Sequence, residues 1–310
     1  MNNQSISLAM YINEWLTTYK VTTVKQSTYD RLLTSVHTLK NFKIADMPIC
    51  EITSTHIQQY INELVNMGYG LSTIKKQIRI VTVPLKQAIA LNHISSNPII
   101  GIQIPSKNRV QKENKLIESY SQEDQVALYK VLDPNERRGY PAIILMIETG
   151  LRVGEVLALR WKDVHLSRKR LYVKSTVVRL ANKKRSFVQD SPKSESSNRV
   201  VPLTPKAIDV LTKIFTSRKS DEWVFTDEYG DRLSYESLRW QTQCACKMAK
   251  VKYHGMHVFR HTFATNCYYK NVDVKILSKI LGHSDTTITY NIYVHLYGDG
   301  FEDMYNAIVK

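Results

Sequence analysis

Side chains that could do chemistry occur in four short segments of the C-terminal half of the sequence, which carry Arg152, Lys193, His257 with Arg260, and His283, and several tyrosines follow them. Together these residue types suit reactions at a phosphodiester. Guanidinium groups are planar, permanently charged partners for non-bridging phosphate oxygens. Lysine and histidine can move a proton to or from a reacting oxygen, and a tyrosine hydroxyl can act as a nucleophile. The set therefore indicates a site for phosphoryl transfer.

Local spacing predicts how some of these side chains are held. His257 and Arg260 are three residues apart, so on a helix they share one face and can meet the same phosphate. Arg152 follows a glycine-terminated apolar segment and precedes another predicted helix, whose first backbone N–H groups favour an anion. Gly282 predicts a helix end that would fix His283. Each segment alone is equally typical of ordinary surface or structural residues.

A metal site is an alternative for the histidines. His257 and His261 are four residues apart, as in zinc metalloproteases, but Val258 stands where the general-base glutamate of those enzymes would be. The sequence offers no obvious third ligand. The four cysteines show neither a disulfide pattern nor paired zinc spacing. We therefore expect no metal, although a purely structural histidine pair remains an alternative.

The charge balance favours a polyanionic partner. Lys and Arg number 43 against 28 Asp and Glu, which gives a formal net charge of +15 and an isoelectric point near 9.5. Neutralising phosphates releases condensed counterions, so nucleic acid is favoured over an anionic membrane surface. The apolar runs are too short to span a bilayer, and the N-terminus lacks the features of a secretion signal. We expect a cytoplasmic protein without a membrane partner.

Apolar residues recur at helical spacing from about residue 8 to residue 100, which predicts a helical domain over 1–102. Thr55 and Gln58 predict a capping box at the start of its third helix. A fourth helix is expected from about Ser72, with a kink or break at Pro84. The polar, basic stretch 103–120 is typical of an interdomain linker.

Two groups of basic residues in this half are candidates for DNA contacts. The fourth predicted helix carries Lys75, Lys76, Arg79 and Lys86, and the linker carries Lys107, Arg109 and Lys112. Most charged stripes of this kind are simply solvated surface. The net charge favours phosphate contacts instead.

The remainder predicts a mixed domain over 121–298. Ser121 and Asp124 predict a helix cap, and an apolar helix ends at Gly150. Alternating residues 171–178 and 199–203 predict a small antiparallel sheet, and the polar stretch 182–198 between them predicts a long hairpin tip. Apolar residues at helical spacing then predict a terminal amphipathic helix over 299–310.

In their order, these segments resemble the motifs of the tyrosine recombinase, or phage integrase, family. That family carries T-G-x-R, K-T-x-x-S-x-R-x-x-P-L, H-x-L-R-H, L-G-H and a tyrosine followed by x-H. The matching segments are 149–152, 192–203, 257–261, 281–283 and 293–295. Ser194 replaces the usual threonine and Phe259 the usual leucine, and neither is a reacting group. The resemblance covers roughly residues 8 to 297.

The resemblance implies a helical core-binding domain, a mixed α+β catalytic domain, and DNA cleavage and rejoining through a 3′-phosphotyrosyl intermediate. Tyr293 would be the nucleophile, with no cofactor. The implied roles of the other residues are phosphate clamping by Arg152 and Arg260, proton donation by Lys193, tyrosine deprotonation by His257, phosphate hydrogen bonding by His283, and orientation of Arg152 by Glu155. The implied partners are double-stranded recombination sites, a homo-tetramer with the tail docked on a neighbouring subunit, and accessory DNA-bending or excision factors.

Several alternatives remain open from the sequence. Tyr290 and Tyr297 compete with Tyr293, and Tyr290 is the second choice for the nucleophile. Other candidates for the lysine role are Lys174, Lys183 and Lys184. A type IB topoisomerase would use the same chemistry without site pairing, and an inactive relative would act as a DNA-binding regulator. The long basic hairpin favours a mobile-element integrase over chromosome dimer resolution.

Overall fold

A computed structural model describes residues 6–106, 109–110, 119–179, 186–189, 198–215, 222–283, 285–287 and 289–290. The chain divides into two compact units. The first comprises Met1–Lys115 with Arg179–Ser186, and the second comprises Leu116–Val178 with Phe187–Lys310. None of the helices in the described ranges is long and apolar enough to cross a membrane.

The N-terminal unit is helical, as the apolar spacing predicts. Its helices are α1 (Leu8–Trp15), which continues as a π-helical turn (Leu16–Lys20), α2 (Gln26–Leu39), two 3₁₀ turns (Lys43–Asp46 and Ile49–Glu51), α3 (Ser54–Asn66) and α4 (Leu71–Ala90). Helix α4 packs against α1, α2 and α3. The shared core contains Leu8, Ile12, Leu39, Ile57, Ile61, Leu64, Ile74, Val81 and Leu85.

One local expectation in this unit is wrong. The cap of α3 is Thr53, whose backbone is extended. Its hydroxyl oxygen accepts a hydrogen bond from the His56 N–H, and the His56 Nδ1 accepts one from the Thr53 N–H. Thr55 already lies inside the first turn, so it cannot act as the cap. Helix α4 runs through Pro84, so of the kink or break expected there, the break does not occur. Proline removes only one helical hydrogen bond there, and burial of the apolar face of α4 offsets that loss.

The C-terminal unit mixes helices with short strands. It contains α5 (Gln122–Val131), α6 (Tyr140–Thr149), α7 (Val153–Leu157), β1 (Val164–His165), β2 (Arg170–Val173), β3 (Thr176–Arg179), β4 (Ser186–Gln189), β5 (Arg199–Pro202), α8 (Pro205–Ile214), α9 (Tyr235–Met248), α10 (Val258–Tyr269) and α11 (Val274–Leu281). Ser121 and Asp124 form the predicted capping box at the start of α5.

The strands form antiparallel pairs. One sheet has the order β1-β2-β5, with Leu171 opposite Val201 and both side chains fully buried. Strand β3 pairs with β4 in a second, two-stranded sheet. The polar stretch 182–198 is therefore not only a hairpin tip, because it contains β4. This strand was missed because only four residues alternate within polar surroundings.

Helix α6 lies in the core, and the turn that follows it leads into the candidate site. It packs against α8, α9 and α10 and is buried along most of its length. Gly150 ends it in the left-handed conformation at φ 64°, and a Cβ there would lie 2.5 Å from the Phe263 ring. Both the backbone and the space require glycine. This turn places Arg152 at the start of α7.

Candidate active site

The site is built around the C-terminal end of α11. Gly282 ends this helix in the left-handed conformation. The last carbonyls of a helix lack helical partners and carry partial negative charge, so they attract cations. Here three successive carbonyls accept from three arginines: Arg199 Nε to Ile280 O at 2.6 Å, Arg260 Nη2 to Leu281 O at 2.6 Å, and Arg152 Nη2 to Gly282 O at 3.2 Å.

Arg152 is the accessible arginine of this group. It precedes α7, and its side chain retains 36% exposure. Glu155, one turn into α7, holds it at two points: Arg152 Nη1 donates to Oε1 at 2.9 Å, and the Arg152 backbone N–H donates to Oε2 at 2.8 Å. Glu155 therefore fixes both the backbone and the guanidinium of Arg152.

Arg260 is placed more deeply, on α10. The residue is 3% exposed, and its Nη1 also donates to the carbonyl of Gly150 at 3.0 Å. Burial and the nearby charge of Arg152 lower the pKa of Arg260. Arg260 thus joins the turn after α6 to the end of α11, and it shares the Leu281 carbonyl with Arg152, whose Nη1 lies 3.5 Å from that oxygen.

Glu155 and Arg199 form a buried ion pair at the base of the site. The Arg199 Nη atoms reach both carboxylate oxygens, at 2.9 and 2.7 Å, and the two side chains are only 4% and 5% exposed. Burial raises the pKa of Glu155, but the hydrogen bonds and charge of Arg199, helped by Arg152, outweigh it and lower the pKa to about 2. Glu155 is therefore ionised throughout the physiological pH range.

Arg199 is not among the site residues predicted from the sequence. A signal for it was present, because Arg199 is the arginine of the K-T-x-x-S-x-R-x-x-P-L motif, and it begins a predicted strand whose other inward residues are apolar. A charged residue at such a position needs a buried partner of opposite charge. Glu155, already assigned to orient Arg152, is that partner.

The histidines of the motifs lie beside these arginines. His257 directly precedes α10, and its ring centre lies 5.0 Å from that of His261. Desolvation, His261, Arg260 and Arg152 lower the pKa of His257, although part of the residue remains exposed. Its imidazole is therefore neutral near pH 7, the form that accepts a proton.

His283 follows the left-handed turn at Gly282. Its Nδ1 lies 2.7 Å from the hydroxyl of the buried Thr289. Burial and then the charges of Arg260 and Arg152 lower the pKa of His283 to about 3. The Thr289 contact orients the ring, so that its other nitrogen is held in one direction.

The structure thus brings Arg152, Glu155, Arg260 and His283 together through the end of α11, with His257 close enough to influence the His283 imidazole. Several other predicted positions lie outside the described residues. These are the candidates Lys193 and Tyr293, the alternatives Lys183, Lys184 and Tyr297, the linker lysines Lys107 and Lys112, and the tail 299–310.

The remaining candidates are surface residues. Lys174 is paired with the buried carboxylate of Asp163 at 2.7 Å, which favours a structural role for this lysine. Tyr290 is 58% exposed. The basic residues predicted to contact DNA are also exposed: Lys75, Lys76, Arg79 and Lys86 on α4, and Arg109.

Chemically, this arrangement is a receptor for one anion. The Arg152 guanidinium is already held by a carbonyl and a carboxylate, and the His283 ring by the Thr289 hydroxyl, so these two groups need little reorganisation when charge develops on a phosphate. All of these groups lie in the C-terminal unit, and they follow one another along the chain in the motif order of the tyrosine recombinase family.

Comparison with known families supports the resemblance indicated by the motifs. Residues 118–299 match the phage integrase family, and residues 7–65 match the phage integrase N-terminal SAM-like domain. The chain is 29% identical over 281 residues to a tyrosine recombinase XerC-like protein of Caldanaerobacter subterraneus subsp. tengcongensis, covering 83% of this chain and 71% of the relative. It is 25% identical over 328 residues to the integrase of Staphylococcus phage L54a, covering 96% and 92%.

Solved structures share the fold. An integrase of the Tn1549 transposon, in complex with transposon right end DNA, matches with a TM-score of 0.79 at 17% identity, over 98% of this chain and 100% of that one. A lambda integrase tetramer bound to a Holliday junction matches with a TM-score of 0.68 at 18% identity, over 94% and 78%. At these identities the likeness establishes the fold.

The chain belongs to the phage integrase family, and it is a tyrosine recombinase, an enzyme that breaks and rejoins DNA strands. The family expected from the motifs is confirmed. The expected fold class is confirmed as well, because the chain is mostly helical, carries small antiparallel sheets and matches the N-terminal SAM-like domain.

Proposed function

We propose that this recombinase integrates and excises a phage or other mobile element, and that Tyr293 is its nucleophile. The main supporting observation is the convergence of Arg152, Arg260 and His283 at the end of α11. His283 lies ten residues before Tyr293 in the sequence. The similar proteins include a phage integrase and a transposon integrase, which favours a mobile element. Chromosome dimer resolution, which the sequence also leaves open, is the competing role.

The proposed reaction divides strand exchange into two reversible transfers. The Tyr293 oxygen attacks the scissile phosphorus while His257, neutral at pH 7, takes its proton. The bond from phosphorus to the 5′ oxygen breaks, and Lys193 protonates that leaving oxygen. The DNA is left with a 3′-phosphotyrosyl bond and a free 5′-hydroxyl. The covalent link conserves the bond energy for rejoining, so no nucleotide cofactor or metal takes part.

The phosphate is held by groups that differ in access. Arg152, with more than a third of its side chain exposed, would form the first contact with a non-bridging oxygen. Arg260 is almost fully buried, so a phosphate reaches it only after a local rearrangement of the groups that cover it. His283 would donate a hydrogen bond to the same phosphate. In this scheme the site tightens on DNA from a partly closed resting arrangement.

Binding to DNA is assigned to a wider basic surface. The exposed face of α4 carries Lys75, Lys76, Arg79 and Lys86, and Lys107, Arg109 and Lys112 follow in the segment after it. Exposed lysines and arginines that neutralise phosphates supply affinity without sequence reading. Target choice would depend on base contacts and on pairing of two recombination sites.

The active assembly would be a tetramer on two double-stranded recombination sites. A related lambda integrase forms a tetramer on a Holliday junction. In this scheme the tail 299–310 docks on a neighbouring subunit, and accessory DNA-bending or excision factors set the direction of the reaction. The enzyme would act in the cytoplasm, associated with the nucleoid, because its substrate is there.

The test begins with covalent complexes recovered from cells that carry the chain, whose attached DNA is then sequenced. A nicked suicide substrate built on the recovered site should trap wild-type protein covalently. Tyr293→Phe should not be trapped, whereas the matched variant Tyr290→Phe should be trapped normally. Failure of the wild-type protein to form any complex would favour an inactive DNA-binding regulator.

A plasmid assay separates the remaining functions. We expect recombination between two copies of the recovered site and no relaxation of a supercoiled plasmid that lacks it. Relaxation of any plasmid would favour a type IB topoisomerase. Recovered DNA that maps to one chromosomal locus near the replication terminus, rather than to element ends, would favour dimer resolution.

A further inference from the structure

Arg199 is a buried cation that cannot itself bind DNA in the described arrangement. Its side chain is 4% exposed, against 36% for Arg152. It lies at the start of β5 and donates to both oxygens of Glu155 and to the carbonyl of Ile280. Its donors are thus directed at two elements of the site, α7 and the end of α11.

Stability alone is a weak reason for such a residue. Removing two charges from water is costly, and well-packed apolar residues of similar volume often stabilise a protein as well or better. A planar guanidinium offers instead a fixed geometry, with parallel N–H groups that match a carboxylate. The distances to Glu155 and Ile280 are consistent with such a geometric role.

Two partners of Arg199, Glu155 and the Ile280 carbonyl, are linked to the phosphate-binding groups. Both Glu155 oxygens also accept from Arg152, one from the side chain and one from the backbone N–H. The Ile280 carbonyl directly precedes those of Leu281 and Gly282, which accept from Arg260 and Arg152. A shift of Arg199 would therefore be passed to both sides of the site.

We propose that Arg199 is a positioning residue, which holds Glu155 and the end of α11 in the arrangement that aims the arginines and His283 at one phosphate. This inference rests on the proposed function and adds to it a residue that touches no DNA. The rate of strand cleavage, rather than DNA affinity, should depend on it.

The experiment compares Arg199→Met with Arg199→Lys in single-turnover cleavage of the suicide substrate. Arg199→Met keeps the apolar stem but removes every donor, so cleavage should slow by roughly 100-fold, the order expected when a reacting group is misplaced by about 1 Å. Arg199→Lys keeps the charge but cannot reach two carboxylate oxygens and a carbonyl together. It should fold and cleave at an intermediate rate, with unchanged DNA affinity.

A matched control removes a different buried ion pair. Asp163 is a buried carboxylate paired with Lys174 in the same unit. Asp163→Asn should lower the melting temperature without slowing cleavage at a temperature where the protein is folded. If Asp163→Asn is as slow as Arg199→Met, the effect is general destabilisation and the positioning role is wrong.

The pH profile gives a readout that loss of stability would not produce. The groups around Glu155 are Arg199 on β5, Arg152 at the start of α7, and Arg260 and His257 on or next to α10. Without Arg199, burial of Glu155 is less opposed, so its pKa rises. Cleavage by Arg199→Met should then fall at a higher pH than cleavage by the wild type as the solution is acidified. The double variant with Glu155→Gln should lose this added acid limb.

The outcomes separate the two proposals. The positioning role alone would be overturned if the wild-type protein cleaves and both Arg199→Met and Arg199→Lys show the same rate and pH profile as the wild type. A wild-type protein that forms no covalent complex would overturn the proposed function, and this inference with it. Slow cleavage by Arg199→Met, partial recovery in Arg199→Lys and the shifted acid limb together would support the inference.

Discussion

The basic groups of the site and those of α4 have the same charge but contrasting surroundings. Around the end of α11, Arg199 and Arg260 are buried, and Arg152 is 36% exposed. These arginines share carbonyls and a carboxylate, and burial together with their charges lowers the pKa of His283. On α4, by contrast, Lys75, Lys76, Arg79 and Lys86 are all exposed to solvent. The groups of the first region are organised around the end of α11, whereas the basic residues of α4 could contact any DNA backbone that lies along the helix.

This difference predicts two separable functions. Preorganised charges in a partly desolvated site act on the transition state, because they are already aimed where negative charge develops. Exposed lysines on a helix act on affinity, because their contribution comes mostly from counterion release. Substitutions in the two regions should therefore affect different measured quantities.

The largest effect is expected for Arg152→Ala. Loss of one donor to the developing charge should slow single-turnover cleavage by about 100- to 1,000-fold, equivalent to about 2.7–4 kcal/mol. DNA affinity should change little, because many other phosphates remain bound. Arg152→Lys is the matched variant, and it should remain slow because an ammonium lacks the bidentate geometry. Weaker DNA binding with a normal cleavage rate would contradict the comparison.

A smaller effect, on DNA affinity rather than on the cleavage rate, is expected for substitutions on α4. The triple variant Lys75→Gln, Arg79→Gln and Lys86→Gln should weaken DNA binding and reduce the slope of log affinity against log salt by roughly 0.9 for each phosphate that is no longer neutralised. At saturating protein its cleavage rate should match the wild type. A filter-binding or anisotropy titration over a range of salt concentrations measures the slope.

A charge-matched control sharpens this result. Lys43→Gln, Lys130→Gln and Lys213→Gln together remove the same charge from exposed positions elsewhere in the chain. The salt dependence of this variant should stay close to that of the wild type. Equal slopes in the two triple variants would mean that net charge, rather than the α4 face, governs binding.

The smallest effect is expected at the N-terminal cap of α3, the helix that packs against α4. Thr53→Ala removes the side-chain cap of α3 and should lower the free energy of unfolding by about 1 kcal/mol. Thr55→Ala, at an exposed position inside the first turn, should change it by less than about 0.5 kcal/mol. Chemical denaturation of the two variants measures the difference. The reverse order would restore Thr55 as the cap.

The sequence predicted those parts of the site that depend on local patterns. Arg152, His257, Arg260 and His283 are marked by short motifs and by glycines that end helices. Arg199 was missed because its role depends on partners 44 and 81 residues away in the chain, at Glu155 and Ile280. No periodicity records such long-range partners, although a charge at the start of a buried strand was a usable signal.

The fold shows the same division. Helix existence followed from apolar spacing in both units, because burial of a continuous stripe dominates helix stability. The errors came from weak local signals: two threonines compete for one cap, and β4 is too short to be recognised by its alternation. The break expected at Pro84 does not occur, because Pro84 lies on the buried apolar face of α4. Domain limits and residue roles remain predictions.

The most direct test of the proposed chemistry is to identify the tyrosine that carries DNA. Trypsin should release residues 280–310 as one peptide, because no lysine or arginine lies between Lys279 and Lys310, and this peptide contains Tyr290, Tyr293, Tyr297 and Tyr305. Fragmentation of the peptide from a trapped complex should place the 3′-phosphonucleotide on Tyr293. A nucleotide on Tyr290 or on any other residue would contradict the assignment of Tyr293 as the group that attacks the phosphate held by Arg152 and Arg260.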